Sequence, residues 1–150
     1  MSGRSIIRVR DLKLEEMRAL LDIEYKCFKD PYPPSLLNHL YSLHPDGFIA
    51  AVVSKRIVGY AIAAVRWGST GHLLAIGVDP AARRKGVGTA LVVDAIDRLF
   101  KRGASHVRLE VRASNRAAQK FYSKLGFIER EIVPNYYADG EAGMVMVYKK

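Results

Sequence analysis

A single cysteine, Cys27, stands among the 150 residues. It excludes an internal disulfide, and with it the disulfide frameworks of small secreted domains. No apolar run approaches the ~20 residues that a membrane helix needs. A long one, Val58 to Val65, is interrupted by Gly59 and Tyr60. The opening MSGRSIIRVRDL carries no apolar core of the kind that marks a signal peptide. These absences set the expectation of a soluble chain in a reducing, cytoplasmic compartment. Internal repeats, linkers and low-complexity segments are also missing, so residues 1–150 are expected to form one domain with a substantial core. Acidic residues are the minority charge: 24 Lys and Arg against 15 Asp and Glu give a formal net charge of +9. Such a surface attracts polyanions, whether nucleic acid, ribosomes or a phosphorylated cofactor, and charge alone does not choose among them. The cations are spread along the chain rather than gathered in a tail, which equally suits a solvated cationic surface.

Alternation at Ile7 and Val9 predicts a short strand, followed by a helix on which Leu14, Met17, Leu21 and Phe28, flanked by Leu20 and Cys27, recur at helical spacing. Ser35, after Pro33-Pro34, is the expected N-cap of a second short helix through about Leu43, ended by His44-Pro45-Asp46-Gly47. The periodicity then becomes that of strands. Phe48 to Val53 and Ile57 to Val65 read as a hairpin across Ser54-Lys55-Arg56, and His72 to Val78 as a further strand after the loop Trp67-Gly68-Ser69-Thr70-Gly71. A helix to about Arg102 follows, with Val87, Leu91, Ala95 and Leu99 as its buried stripe and Gly103 as its stop. His106 to Val111 reads as a strand and Asn115 to Leu125 as a helix closed by Gly126. Phe127 to Val133 and Gly143 to Tyr148 are the last strands, around the loop Pro134 to Ala142. The order β-α-α-β-β-β-α-β-α-β-β predicts an α/β fold with a mixed, predominantly antiparallel sheet flanked by helices.

The stretch RRKGVGTALVVDAI, Arg83 to Ile96, runs three cations into two glycines and then into the helix. The first N–H groups of a helix lack intrahelical partners and carry positive partial charge. Gly86 and Gly88 let an anion approach those groups, and Arg83, Arg84 and Lys85 add formal charge around it. A pyrophosphate meets that demand. Two familiar glycine motifs fail on spacing. A P-loop places its lysine after the last glycine, whereas Lys85 precedes Gly86. A dinucleotide fingerprint needs a small residue where Leu91 stands.

Arg83-Arg84-Lys85-Gly86-Val87-Gly88 resembles the Arg/Gln-x-x-Gly-x-Gly/Ala motif of the GNAT acyltransferases. The resemblance implies that residues 83–89, through Thr89, grip the pyrophosphate of acetyl-CoA as co-substrate, with no metal. It also implies that the strand before Asp79-Pro80 is splayed, so that Ile76 and Val78 offer backbone groups to the pantetheine and thioester. Gly77, in mid-strand, suits a bulge or a close ligand approach. LEVRASNRAAQKFYSKLGF, Leu109 to Phe127, is similar to the RimI and archaeal NatA-catalytic-subunit branch, the N-terminal acetyltransferases, and NYYADGE, Asn135 to Glu141, to a substrate-side loop of that branch. Asn115 and Tyr122 match the branch's thioester-facing Asn and Tyr, with Tyr122 as general acid toward the coenzyme sulfur. Glu110 matches the glutamate thought to take the amine proton, and His72 a histidine of archaeal relatives whose near-neutral pKa suits proton shuttling through water.

Strand alternation independently sets Glu110 on the face opposite its apolar neighbours Leu109 and Val111, where a cross-strand ion pair is the competing role. At pH 7 roughly a tenth of a free α-amine is neutral, but less than about a thousandth of a lysine. A modest base therefore suffices for an N-terminus. Asp30 and Tyr32 in the loop Phe28 to Pro33, with Tyr136 and Tyr137, are the expected substrate-binding residues. Asp30-Pro31-Tyr32 departs from the branch's Glu-Asn-Tyr pattern, which leaves open the first residues accepted and any catalytic part for Asp30. The resemblance thus implies α-amine acetylation of protein chains, with ribosomal proteins or nascent chains as substrates and a possible ribosome association. The alternatives are lysine or small-amine acetylation, and, remotely, a basic nucleic-acid or ribosome-binding module. Tyr60 and Trp67 lie near cations, but no interleaved aromatic and basic run supports that module, so nucleic acid is not the expected substrate. If Met1 is removed, Ser2 becomes a candidate for self-acetylation.

Overall fold

A computed structural model describes residues 6–150; Ser2 lies outside the described residues. Among the described residues, seven strands form one sheet: β1 (Arg8–Asp11), β2 (Phe48–Val53), β3 (Arg56–Arg66), β4 (Thr70–Val78), β5 (His106–Arg112), β6 (Ile128–Val133) and β7 (Gly143–Lys149), in the order β1-β2-β3-β4-β5-β7-β6. Only β4 and β5 pair in parallel. Helices α3 (Val87–Lys101) and α4 (Arg116–Lys124) cover one face, over a core that includes Leu91, Leu99, Val107 and Met146. Helices α1 (Met17–Cys27) and α2 (Pro34–Leu43) cover part of the other, around Leu20, Leu37, Phe48 and Tyr60.

The element order is the expected one, and Val87, Leu91, Ala95 and Leu99 are all buried along α3. Each fully buried Leu contributes about 1.5–3 kcal/mol, so this stripe fixes α3 to the sheet. Three details differ from expectation. Leu14 sits in a 3₁₀ turn ahead of α1 and Phe28 just past its end; both are exposed, and the buried side is Met17, Leu20, Ile23 and Glu24. Ser35 is not an N-cap, because Pro34 begins α2, where its missing N–H costs nothing, and Pro33 takes the cap position. β4 starts at Thr70, since the turn after β3 is tighter than composition suggested and pairs Arg66 with Thr70.

Two irregularities open the site. β4 and β5 pair only from Thr70–His106 to His72–Arg108, after which the strands part, while β5 stays with β7 as far as Arg112. In β4 the register to β3 skips one residue, Leu74, between Leu73 and Ala75. The bulge therefore lies at Leu74 and not at Gly77. Gly77 is needed for a different reason: a Cβ there would stand 2.5 Å from Cε1 of Tyr60. The Tyr60 hydroxyl is tied to the buried Glu24 carboxylate and the ring cannot swing away. Gly77→Ala is expected to cost about 1–3 kcal/mol from overpacking, read as a lowered denaturation midpoint. An unchanged midpoint would show that the ring moves freely.

Candidate active site

The parting of β4 and β5 leaves a gap in the sheet with a cleft on one side and a cluster of hydrogen-bonded polar side chains on the other. The cleft, about 620 Å³, runs from the β4 end past the α3 entrance to α4. Ile76, Val78, Arg83, Arg84, Gly86 to Thr89, Asn115 and Tyr122 all line it, as the sequence led us to expect; Lys85 does not. Gly86, at φ +84°, occupies the left-handed region and gives the α3 N-terminus no side-chain cap. The first amides of α3 thus keep their donors for an anion. At Gly88 a Cβ would come within 3.3 Å of the Phe121 ring, so this glycine also lets α4 close on α3. Arg83 is partly committed: its Nε donates to the Val78 carbonyl (3.2 Å) and its Nη2 contacts Cys27 Sγ (3.3 Å). Val78 O also accepts from Cys27 Sγ at 3.2 Å, so of the two expected strand residues it is the one whose carbonyl is already engaged.

Asn115 caps α4, its Oδ1 accepting from Ala118 N (3.0 Å). Tyr122, about two helical turns further on, is buried edge-on against Phe121 and Phe127. Burial pushes its phenol well above the ordinary value, so the hydroxyl stays protonated. Phe121, Ala118 and Cys27 also line the cleft and were not anticipated, and Phe28, from the loop expected to meet the substrate, joins them. The legible signal for the first two was the apolar side of the α4 helix, on which they stand with Tyr122.

Across the gap, strand alternation carries Arg108 and Glu110 to the opposite face from Val107, Leu109 and Val111, which are buried under α3 and α4. Glu110 Oε1 accepts from His72 Nε2 (2.8 Å) and Oε2 from Arg108 Nε (2.7 Å). Burial works to raise the Glu110 pKa, but these two bonds outweigh it and hold the carboxyl below its usual range. The expected cation partner exists, on the same strand rather than across it. Arg66 Nη1 lies 3.2 Å from His72 Nδ1. Since a guanidinium only donates, Nδ1 is the acceptor and the imidazole proton is on Nε2, pointing at Glu110.

Tyr32 stands beside this pair, with its hydroxyl donating to the carbonyl of the bulged Leu74 (3.4 Å) and its backbone N–H held by Glu24 Oε2 (2.8 Å). Burial, then the charges of Glu24 and Glu110, raise its pKa. Glu24 was not anticipated, although its position on the buried side of α1 marks it as a carboxylate that needs partners. Tyr136 is partly exposed and is raised likewise, by burial and by Glu110. Tyr60 is fully buried and presents no surface for stacking a base.

Arg112, absent from the expected residues, joins two loops at the end of β5. Its Nη1 donates to Asp139 Oδ2 and Glu141 Oε1 (both 2.9 Å), its Nη2 to Asp30 Oδ2 (3.4 Å), and its guanidinium lies 4.2 Å over the Tyr137 ring. Asp30 therefore clasps loops together and makes no contact with the His72 and Glu110 pair. Arg112→Met is expected to raise the KM of the substrate that these loops meet about three- to tenfold with kcat changed less than twofold, and added salt should raise the wild-type KM. A fall in kcat at unchanged KM would instead place Arg112 in the chemical step.

An uncapped helix entrance flanked by cations and a protonated phenol on one side of a gap, with a held carboxylate on the other, suit an enzyme that brings a phosphorylated donor to a nucleophile. The chain belongs to the acetyltransferase (GNAT) family, whose model matches residues 16–127. It is 36% identical over 143 residues to an uncharacterized N-acetyltransferase of Methanocaldococcus jannaschii, covering 95% of this chain and 91% of that one. It is 31% identical over 153 residues to an N-alpha-acetyltransferase of Sulfurisphaera tokodaii, covering 93% and 90%. Among solved structures, the ribosomal-protein-S18-alanine N-acetyltransferase of Escherichia coli superposes with a TM-score of 0.84 at 31% identity, covering 96% of this chain and 94% of that one. GNAT acetyltransferases use acetyl-CoA, and the uncapped amides, the absent side chains at Gly86 and Gly88 and the neighbouring cations fit its pyrophosphate.

Proposed function

We propose that this enzyme acetylates the α-amine of protein N-termini, with Glu110 as base and Tyr122 as acid. The observation that carries the reading is the buried Glu110 carboxylate, held ionised by His72 and Arg108 beside the gap. Acetyl-CoA, when bound, supplies the electrophilic thioester carbonyl. The amides of residues 87–89, with Arg84, would hold its anionic groups, and Ile76 and Val78 line its course along the open side of β4. Each Glu110 oxygen already accepts one N–H and keeps one lone pair, enough to take the amine proton through water. His72, both of whose nitrogens are engaged, orients that carboxylate. A base held below its usual pKa is weak, which suits an α-amine, already neutral in roughly a tenth of molecules at pH 7, better than a lysine. Tyr122 offers its proton toward the departing sulfur. Tyr32, Tyr136 and Tyr137 frame the peptide end, with Asp30 in the clasp. The names of the relatives support the same substrate, and ribosomal proteins or nascent chains met at the ribosome in the cytoplasm are the protein class we infer.

Acetyl-CoA turnover on peptides with free α-amines, set against peptides with blocked α-amines and one internal lysine, tests this. Turnover confined to free α-amines is expected. Turnover on blocked peptides would move the substrate to lysine.

A further inference from the structure

Trp67 is the only tryptophan in the chain, and the chemistry above makes no use of it. It is 61% exposed at the turn between β3 and β4, and its φ of +50° puts a bulky residue in the left-handed region that favours glycine. Packing does not explain its place there. Its neighbours are cationic or basic: the Arg66 guanidinium lies 4.6 Å from the ring centre, that of Arg108 5.9 Å, and the His72 ring 5.1 Å. Arg108 is neutralised by Glu110. Arg66 spends one N–H on the neutral side of His72 and, among the described residues, pairs with no carboxylate. An exposed aromatic face, an uncompensated guanidinium with four N–H donors left, and the candidate base thus adjoin one another.

We infer that Trp67 and Arg66 form a subsite for an acidic side chain of the peptide substrate, at its third or fourth residue. The position follows from reach. Glu110 and the indole are linked through Arg108 by contacts of 2.7 and 5.9 Å, which keeps their separation within the reach of about three residues of extended peptide. A carboxylate there meets the Arg66 fork, which favours planar, bidentate acceptors, while its methylene stem rests on the indole. The subsite rests on the α-amine reading and refines it to peptides with Asp or Glu shortly after the first residue.

Because Trp67 is the sole tryptophan, its fluorescence reports on the site directly. The protein, without acetyl-CoA, would be titrated with free-amine heptapeptides identical except for Glu or Gln at residues 3 and 4. The Glu peptides should change the emission saturably and bind about tenfold tighter, a preference weakened by salt, lost in Arg66→Met and kept in Arg66→Lys. The ratio of kcat/KM for Glu and Gln peptides should fall in Trp67→Leu as well. Equal binding of the two peptides, a preference that survives Arg66→Met, or a stronger response to an RNA oligonucleotide than to the Glu peptide would overturn the subsite. Turnover of both peptides at equal rates would sink the subsite alone. A fluorescence preference with no turnover of any peptide would sink the α-amine reading and leave the anion subsite standing.

Discussion

Tyr122→Phe should lower kcat by about 10²-fold or more, the size of a lost general acid, while leaving fold and coenzyme affinity in place. The ring packs edge-on against Phe121 and Phe127, contacts that phenylalanine reproduces. The hydroxyl accepts no hydrogen bond from a described residue, so its removal leaves no partner stranded and should change stability little. Burial keeps the phenol protonated across the working pH range, and deletion therefore removes a proton donor and not a charge. Steady-state kinetics, coenzyme titration and thermal melts on the same preparation separate these effects. A kcat within threefold of wild type would return Tyr122 to a packing role, the ordinary one for an aromatic on the buried side of a helix.

Glu110→Gln should also cost about 10²-fold, and its pH profile carries more information than its size. The substitution keeps the shape, but its one amide oxygen replaces only one of the two acceptors that His72 and Arg108 use, since the NH₂ only donates, and the charge that takes the proton is gone. In the wild type, Glu110 is depressed and stays ionised well below neutrality, so its own titration should not shape kcat/KM between pH 6 and 8. The rise of kcat/KM over that range should follow the α-amine, with a pKa of about 7.7–8.0, and persist in the variant on a lower curve. Disappearance of the acid limb in Glu110→Gln would mean that the carboxylate itself titrates there, contrary to its hydrogen bonding. The same depression has a sign for stability. A carboxyl whose folded pKa lies below its unfolded value stabilises above the unfolded value and loses that contribution as pH falls through the folded one. The acid side of the stability profile should therefore be shallower in the variant.

Helix α3, its buried stripe and the glycine-opened entrance at Gly86 were legible in the sequence because they depend on local spacing: a 3.6-residue period, and a backbone conformation open to glycine. So was the side of β5 on which Glu110 stands, since strand alternation is also local. The family resemblance added the roles proposed for Asn115, Tyr122 and His72. What tertiary structure alone decided were the pairings between distant segments. The parting of β4 from β5 after His72 and Arg108, and the bulge at Leu74, follow from register, which no stretch of one strand records. Glu110 could have met a cation or a histidine; the fold gave it both, and through Arg66 fixed which His72 nitrogen carries the proton. Arg112 escaped notice because an arginine at a strand end looks solvated until Asp30, Asp139 and Glu141 are brought to it from two loops. Local chemistry selects which groups are present, but burial and hydrogen-bond partners, which come from residues far apart in the chain, decide their protonation and hence their work.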